Sequence, residues 1–134
     1  GGIANITAIA PGALPEDVIA FDTGPGNMVM DVLAAKLSGG ARSYDEGGEI
    51  AAGAEVDERM LQAMLSDPYY QQPPPKSAGR EQFGGEFVSG LIATGVPLEN
   101  LMATACEATA RTIVLGIRRW VPFRAAELIP AGGG

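Results

Sequence analysis

The chain has 134 residues, 46% of them hydrophobic, and is therefore long and apolar enough to bury the core of one domain. Its 16 acidic and 9 basic residues give a net charge of −7, which argues against nucleic acid or an anionic membrane surface as a partner. It contains no histidine and one cysteine, Cys106, which argues against zinc sites, disulfide frameworks and serine–histidine catalysis, and no metal-ligating residue is assigned in this chain.

Two strands and a helix are predicted in the N-terminal part of the chain. Isoleucines in residues 3–9 favour a strand, and the β-type run 17–22 favours a second one. Apolar residues at helical spacing predict a helix over 28–37, with Pro25 expected at a first helical position. The apolar face of this helix consists of Val29, Leu33 and Leu37.

The central part of the sequence predicts three further helical segments and one extended segment. Residues 49–52 can form a short helical turn, and Asp57 can cap the helix that follows it. Four prolines predict an extended segment over 68–77. A modest helix is expected over 81–93, with three large apolar residues on one face: Phe83, Phe87 and Leu91.

The clearest predicted element is a helix over 97–119, in which alanines at 103, 105, 108 and 110 would allow close packing. Cys106 is expected on its apolar face, as a core residue and not as a nucleophile. A last strand is predicted over 125–130. The mixture of strands and helices indicates an α/β fold.

The segment Asp22-Thr23-Gly24-Pro25-Gly26-Asn27 lies between a predicted strand and a predicted helix. In open α/β folds, ligands bind beyond the carboxyl ends of strands, where backbone N–H groups and the helix dipole face them. Glycine lets the backbone approach a phosphate or a sugar, and a carboxylate can deprotonate a nucleophile. Asp22 could instead cap the following helix. Pro25 and the two glycines favour a ligand-binding loop, because a cap requires none of them.

Two other segments are open to two interpretations each. Gly1-Gly2 could form a hairpin turn or hold a phosphate against backbone N–H groups. Lys76, Ser77 and Arg80 follow the proline run, either in a solvated loop or as the wall of a binding site. The Gly-x-x-x-x-Gly-Lys-Ser/Thr motif of phosphate-binding loops is absent.

The sequence also bears on location and completeness. No apolar run reaches the roughly 20 residues of a membrane-spanning helix, and no signal peptide is visible. A lone cysteine suits a reducing environment, so a cytoplasmic location is expected. Both ends consist of glycines beside strand-like sequence, which predicts that the chain is a fragment.

Several blocks, in order along the whole chain, resemble the anhydro-N-acetylmuramic acid kinase family. Gly1-Gly2-Ile3-Ala4-Asn5-Ile6-Thr7 resembles its glycine turn, and Phe21 to Met28 with Asp31 resembles its signature loop. Further similar blocks are Tyr44-Asp45, Pro74 to Phe83, Ala103-Thr104 with Thr109-Ala110, and Ala131 to Gly134.

The resemblance implies one part of a larger kinase. The family has two α/β lobes with ribonuclease-H-like sheets, as in the actin-like ATPase and sugar kinase superfamily, and residues 1–134 would be an incomplete C-terminal lobe. The implied reaction uses ATP and Mg²⁺ to open 1,6-anhydro-N-acetylmuramic acid and to phosphorylate its 6-oxygen, in bacterial peptidoglycan recycling. The expected partners are the anhydrosugar and ATP, with a homodimer conceivable for the full-length protein. The first phosphate-binding loop would lie outside this chain, so the isolated chain is expected to be inactive.

By resemblance, Asp22 is expected to be the base that removes a proton from the attacking water. Gly24, Gly26 and Asn27 would lie against the sugar. The nucleotide would contact Gly1, Gly2, Gly132, Gly133 and Gly134.

The sequence departs from the family pattern at two positions. Ala78 replaces the usual threonine, which puts a side-chain contact with substrate in doubt, and Leu101 replaces an acidic residue or the neighbour of one. Two other functions stay open at this point, a levoglucosan-type anhydrosugar kinase and a non-catalytic lobe for binding or dimerisation.

Overall fold

The computed structural model describes residues 2–132, and within that range a two-stranded antiparallel sheet packs with six α-helices. β1 (Ala4–Ala8) pairs with β2 (Ile19–Gly24), so that Asn5 lies opposite Asp22. The sequence-based prediction of a mixed α/β fold is confirmed at this level.

The helices follow the two strands in chain order. They are α1 (Asn27–Leu37), α2 (Glu49–Ala52), α3 (Glu58–Leu65), α4 (Arg80–Phe83), α5 (Gly85–Ala93) and α6 (Leu98–Trp120). Short 3₁₀ turns occupy Pro15–Asp17, Glu46–Gly48 and Pro68–Gln71. Asp57 caps α3 as predicted, because its Oδ1 accepts a 2.8 Å hydrogen bond from the backbone N–H of Met60.

The long helix α6 lies at the centre of the fold, in contact with both strands and with α1, α2, α3 and α5. Apolar residues of α1, α3, α5 and α6 form the larger of two core clusters, which includes Val29, Leu33, Leu61, Val88 and Met102. Gly116 brings α6 close to the sheet, because a Cβ atom there would lie 3.0 Å from Thr23 Cγ2 and 3.1 Å from Phe21 Cε2. Burial of these faces supplies the main stabilisation of the fold.

Four sequence-based predictions of secondary structure are wrong in detail. Pro25 precedes α1, whose N-cap is Gly26. The segment 68–77 is not extended throughout, since a proline is tolerated in the first turn of a helix and Pro68 opens a 3₁₀ turn capped by Asp67. The helix predicted over 81–93 is split at Gly84, which has extended torsions. Residues 125–130 do not form a strand, because no described strand pairs with them.

Two predictions about α6 are also wrong. Cys106 is exposed and not a core residue. It lies about 160° around the helix axis from the buried Ala108 and about 120° from the buried Thr112, and therefore away from the side on which those two residues pack. Ala103, Ala105 and Ala108 are buried as expected, whereas Ala110 is exposed.

Candidate functional site

Asp22 lies near the end of β2, half-buried, and is attached to a loop more than 50 residues further along the chain. Its backbone N–H donates a 3.2 Å hydrogen bond to the carbonyl of Lys76. Its carboxylate Oδ2 accepts a 2.8 Å hydrogen bond from the backbone N–H of Ala78. Among residues 2–132, no hydrogen bond reaches Oδ1, so one carboxylate oxygen is held and the other is free to accept a proton.

The alternative interpretation, in which Asp22 caps the following helix, is wrong. The N-cap of α1 is Gly26, which has no side chain to form a capping hydrogen bond. Because the carboxylate of Asp22 points to Ala78 instead, capping does not account for an acid at this position.

Tyr69 also contacts Asp22, through the Asp22 backbone. Its hydroxyl donates a 2.8 Å hydrogen bond to the backbone carbonyl of Asp22. Burial first, and the negative charge of Asp22 second, together raise the pKa of Tyr69 to about 12. Tyr69 is therefore neutral, and a hydrogen-bond donor, throughout the physiological pH range.

The side chain of Lys76 is half-buried and contacts Tyr69. Its Nζ donates a 3.0 Å hydrogen bond to the backbone carbonyl of Tyr69 and lies 4.4 Å from the centroid of the Tyr69 ring. Burial lowers the pKa of Lys76, and the nearby positive charge of Arg119 lowers it too. Lys76, predicted as a wall of the binding site, thus contacts the protein's own backbone.

A cluster of aromatic side chains packs around Tyr69. Tyr69 packs edge to face against Tyr70 and Phe83, with ring centroids 5.8 and 5.9 Å apart, and Phe83 packs against Phe87 at 5.5 Å. Arg119 of α6 donates a hydrogen bond to the side chain of Gln71. Tyr69 and Tyr70 thus belong with Phe83 to a buried core cluster, and both have a packing role.

The two glycines of the Asp22 loop are buried for reasons of packing. A Cβ atom on Gly24 would lie 2.9 Å from Thr112 Oγ1 of α6. Gly26 has φ +53°, and a Cβ atom there would lie 2.6 Å from the backbone nitrogen of Ala4. Asn27 is the first residue of α1 and is half-buried. The structure thus explains both glycines without a ligand, and a contact of these three residues with sugar stays a prediction.

One of the glycines predicted to contact the nucleotide lies beside this loop. The carbonyl of Gly2 accepts a 2.9 Å hydrogen bond from the backbone N–H of Met28, which joins the N-terminal turn to the start of α1. Gly132 is exposed and has φ +113°. Gly1, Gly133 and Gly134 lie outside the described residues.

Ser77 and Arg80 flank the attachment of Ala78 to Asp22. Both are exposed, and within residues 2–132 neither side chain makes a hydrogen bond or an ion pair, so both can contact a ligand. Ala78 contacts Asp22 through its backbone alone. The replacement of threonine by alanine therefore leaves this contact unchanged.

Two other acidic residues, Asp45 and Asp31, lie outside the Asp22 loop. The carboxylate of Asp45 accepts hydrogen bonds from the N–H groups of Ile50 and Ala51 in the first turn of α2, at 2.9 and 3.0 Å, and so has a structural role. Burial raises the pKa of Asp31 in α1. The described part of the chain contains no group of three or more residues that could hold a metal ion. Nor does any helix between residues 2 and 132 combine the length and the apolarity needed to cross a membrane.

The sequence did not identify the contact between Asp22 and residues 69–78. The contact uses a backbone N–H and a backbone carbonyl, which every residue type other than proline has, so the sequence does not indicate it. A tyrosine whose hydroxyl binds Asp22 cannot be distinguished in sequence from any other packed tyrosine. The only available signal was the rigid proline run beside a predicted site residue.

Comparisons with known proteins match one family over the whole chain. A family model described as anhydro-N-acetylmuramic acid kinase matches residues 1–134. Proteins of that name from Caldanaerobacter subterraneus subsp. tengcongensis and Streptomyces coelicolor are 38% and 40% identical to the whole chain, which covers 35% and 33% of their lengths. One from Bacillus cereus strain AH187 is 41% identical, and the chain covers 36% of it. The chain thus spans about a third of the length of these relatives.

Proposed function

The chain belongs to the anhydro-N-acetylmuramic acid kinase family, and from this membership we propose that the whole protein phosphorylates an anhydrosugar with ATP. The proposed substrate is 1,6-anhydro-N-acetylmuramic acid, the proposed product is N-acetylmuramic acid 6-phosphate, and the proposed setting is peptidoglycan recycling in the bacterial cytoplasm. Residues 1–134 would form part of the C-terminal lobe of a two-lobe, actin-like kinase.

In the proposed reaction, Asp22 acts as the general base. A water molecule attacks the anomeric carbon, the bond from that carbon to the 6-oxygen breaks, and the 6-oxygen takes the γ-phosphoryl group of ATP. Asp22 removes the proton of the attacking water, a role that contributes about 10²–10⁴-fold in rate in enzymes of this kind. ATP supplies the phosphoryl group, and phosphoryl transfer depends mainly on positioning and charge neutralisation.

The single observation that carries this proposal is the asymmetric environment of the Asp22 carboxylate. Oδ2 is held by the N–H of Ala78 at 2.8 Å, whereas Oδ1 has no hydrogen-bond partner among the described residues. This combination suits a general base, because one oxygen fixes the orientation of the group while the other can accept the proton. Ser77 and Arg80, exposed beside it, would form part of the site wall.

We also propose binding roles for the other residues predicted from the sequence. Gly24, Gly26 and Asn27 would lie against the sugar, while Gly2 and Gly132, with the terminal glycines 1, 133 and 134, would contact the nucleotide. The described residues contain no cluster of three acidic, histidine or cysteine side chains. Because Mg²⁺ in phosphoryl-transfer sites is usually held by one or two carboxylates together with substrate phosphates, no such cluster is required of this chain. We propose that the ligands of Mg²⁺, and the first phosphate-binding loop, come from the remainder of the whole protein.

The test is an assay of the full-length protein that contains this chain. Incubation with ATP, Mg²⁺ and 1,6-anhydro-N-acetylmuramic acid should yield a sugar 6-phosphate in a ratio of one to one with ADP, and the 134-residue chain alone should yield none. Levoglucosan, which lacks the lactyl group, serves as the competing substrate. Faster turnover of levoglucosan would reassign the substrate. Turnover without ATP would refute a kinase, and absent turnover of both sugars would leave the non-catalytic alternative.

A further inference from the structure

Tyr69 and Lys76 hold the backbone of Asp22 on the side of β2 that faces away from β1. We infer that Tyr69 is a positioning residue for Asp22, acting through the Asp22 carbonyl, and that Lys76 fixes Tyr69 in turn. This inference rests on the proposed role of Asp22 as the base.

The geometry supplies three separate attachments to one residue. The Tyr69 hydroxyl donates to the Asp22 carbonyl at 2.8 Å, and the Asp22 N–H donates to the carbonyl of Lys76 at 3.2 Å. The N–H of Ala78 donates to the carboxylate at 2.8 Å. Both backbone polar groups and the side chain of Asp22 are therefore fixed by residues 69–78.

The attachment takes the place that a third strand would occupy. In an antiparallel ladder, a residue directs both its N–H and its carbonyl to the same neighbouring strand. Both groups of Asp22 are directed instead to Lys76 and Tyr69, which are not in a strand. The Tyr69 hydroxyl thus serves as the donor that a neighbouring strand would otherwise provide.

Lys76 closes the network. Its Nζ donates a 3.0 Å hydrogen bond to the Tyr69 carbonyl and lies over the Tyr69 ring. Lys76 therefore has two roles, because its carbonyl accepts the hydrogen bond of the Asp22 N–H and its side chain restrains Tyr69. Tyr69 is 3% exposed, and its ring is enclosed by Tyr70 and Phe83. A buried donor on a rigid ring can set the direction of the β2 end, and with it the position of the carboxylate.

A shift of the base by about 1 Å costs on the order of 100-fold in rate without removing any substrate contact. Loss of the Tyr69 hydroxyl should therefore lower kcat and leave KM for ATP and for the anhydrosugar unchanged. A purely structural role would lower thermal stability or protein yield and leave kcat per folded molecule unchanged.

The matched pair of variants is Tyr69→Phe and Tyr70→Phe in the full-length protein. Each removes one hydroxyl from the same aromatic cluster, but only Tyr69 contacts Asp22. We expect Tyr69→Phe to lower kcat by roughly 10- to 100-fold at unchanged KM, and Tyr70→Phe to leave kcat within about twofold. Lys76→Met should reproduce part of the loss, and Lys76→Arg should restore part of it.

Several outcomes would overturn the inference. They are a normal kcat for Tyr69→Phe, equal losses for the two phenylalanine variants, and a loss confined to KM. If Tyr69→Phe does not fold, the comparison of Lys76→Met with Lys76→Arg decides, and equal kcat values for these two overturn it. Wild-type protein and Asp22→Asn are assayed alongside. An inactive wild type, or an active Asp22→Asn variant, refutes the proposed function, whereas a normal Tyr69→Phe beside an inactive Asp22→Asn refutes only the positioning role.

Discussion

The carboxylate of Asp22 accepts a hydrogen bond from the backbone N–H of Ala78, at 2.8 Å and across 56 positions of sequence. This contact joins β2, near its end, to the segment that follows the proline run. It also orients the carboxylate of Asp22, which is half-buried. Because the donor is a backbone group, the contact does not depend on the side chain at position 78. The alanine found there is therefore compatible with the arrangement.

Gly26 should be the least replaceable glycine of the Asp22 loop. It has φ +53°, and a Cβ atom would lie 2.6 Å from the nitrogen of Ala4 and 2.8 Å from the carbonyl oxygen of Gly2. Gly26→Ala combines backbone strain with a clash against main chain, so we expect it to lower the free energy of unfolding by roughly 2–5 kcal/mol. Thermal unfolding of the full-length protein measures the effect.

The control for this substitution is Gly12→Ala. Gly12 also has a positive φ, +76°, but a Cβ atom there would meet nothing within 4 Å. Only the backbone strain applies, at about 1 kcal/mol. Equal losses for the two variants would show that the close approach of residues 2–4 to Gly26 is not important for stability.

Gly116 should set the distance between α6 and the sheet. Gly116→Val would place methyl groups against Thr23 and Phe21, where even an added Cβ atom would lie at only 3.0 and 3.1 Å. We expect it to lower the free energy of unfolding by about 1–3 kcal/mol. Gly90→Ala, on the exposed side of α5 with nothing within 4 Å, should instead stabilise the protein by about 0.5–1 kcal/mol. Melting temperatures that move in the same direction for both variants would contradict this packing.

Tyr69 should contribute to stability in a way that is lost at alkaline pH. Its pKa is raised from 10.0 to about 12, by burial first and by Asp22 second. The folded protein thus holds this proton more tightly than the unfolded chain does. The stabilisation is fully present below about pH 10 and is lost as the pH rises through about 12.

The measurement is chemical unfolding of the full-length protein at a series of pH values. Between about pH 10 and pH 12, Tyr69→Phe should lose less stability than the wild type. Tyr44→Phe, which removes the hydroxyl of an exposed tyrosine, should follow the wild type. Identical curves for wild type and Tyr69→Phe would mean that the Tyr69 hydroxyl is not coupled to folding.

The sequence was sufficient wherever a local pattern determines the structure. Helical spacing of apolar residues located α1, α3 and α6, and Asp57 marked the start of α3 because capping is a contact between residues three positions apart. The loop at Asp22 was identifiable because its glycines and proline are unusual between a strand and a helix.

The sequence was insufficient wherever the outcome depends on distant partners. Residues 125–130 have strand-like composition, but no described strand pairs with them. Cys106 has the spacing of a core residue and follows the buried Met102 by one turn, but the elements that pack on α6 leave its side chain exposed. The hydrogen bonds of Ala78 and Tyr69 to Asp22 join residues that are far apart in the chain, and no local pattern indicates them.

The replacement Asp22→Asn tests the central claim most directly, because it keeps the shape of the side chain and removes its capacity to take a proton. The full-length variant should retain ATP binding and lose turnover of 1,6-anhydro-N-acetylmuramic acid by a factor on the order of 10²–10⁴. Asp57→Asn, at a half-buried acid that caps α3, is the control and should keep near-normal turnover. Normal turnover by Asp22→Asn would contradict the role of Asp22 as the base.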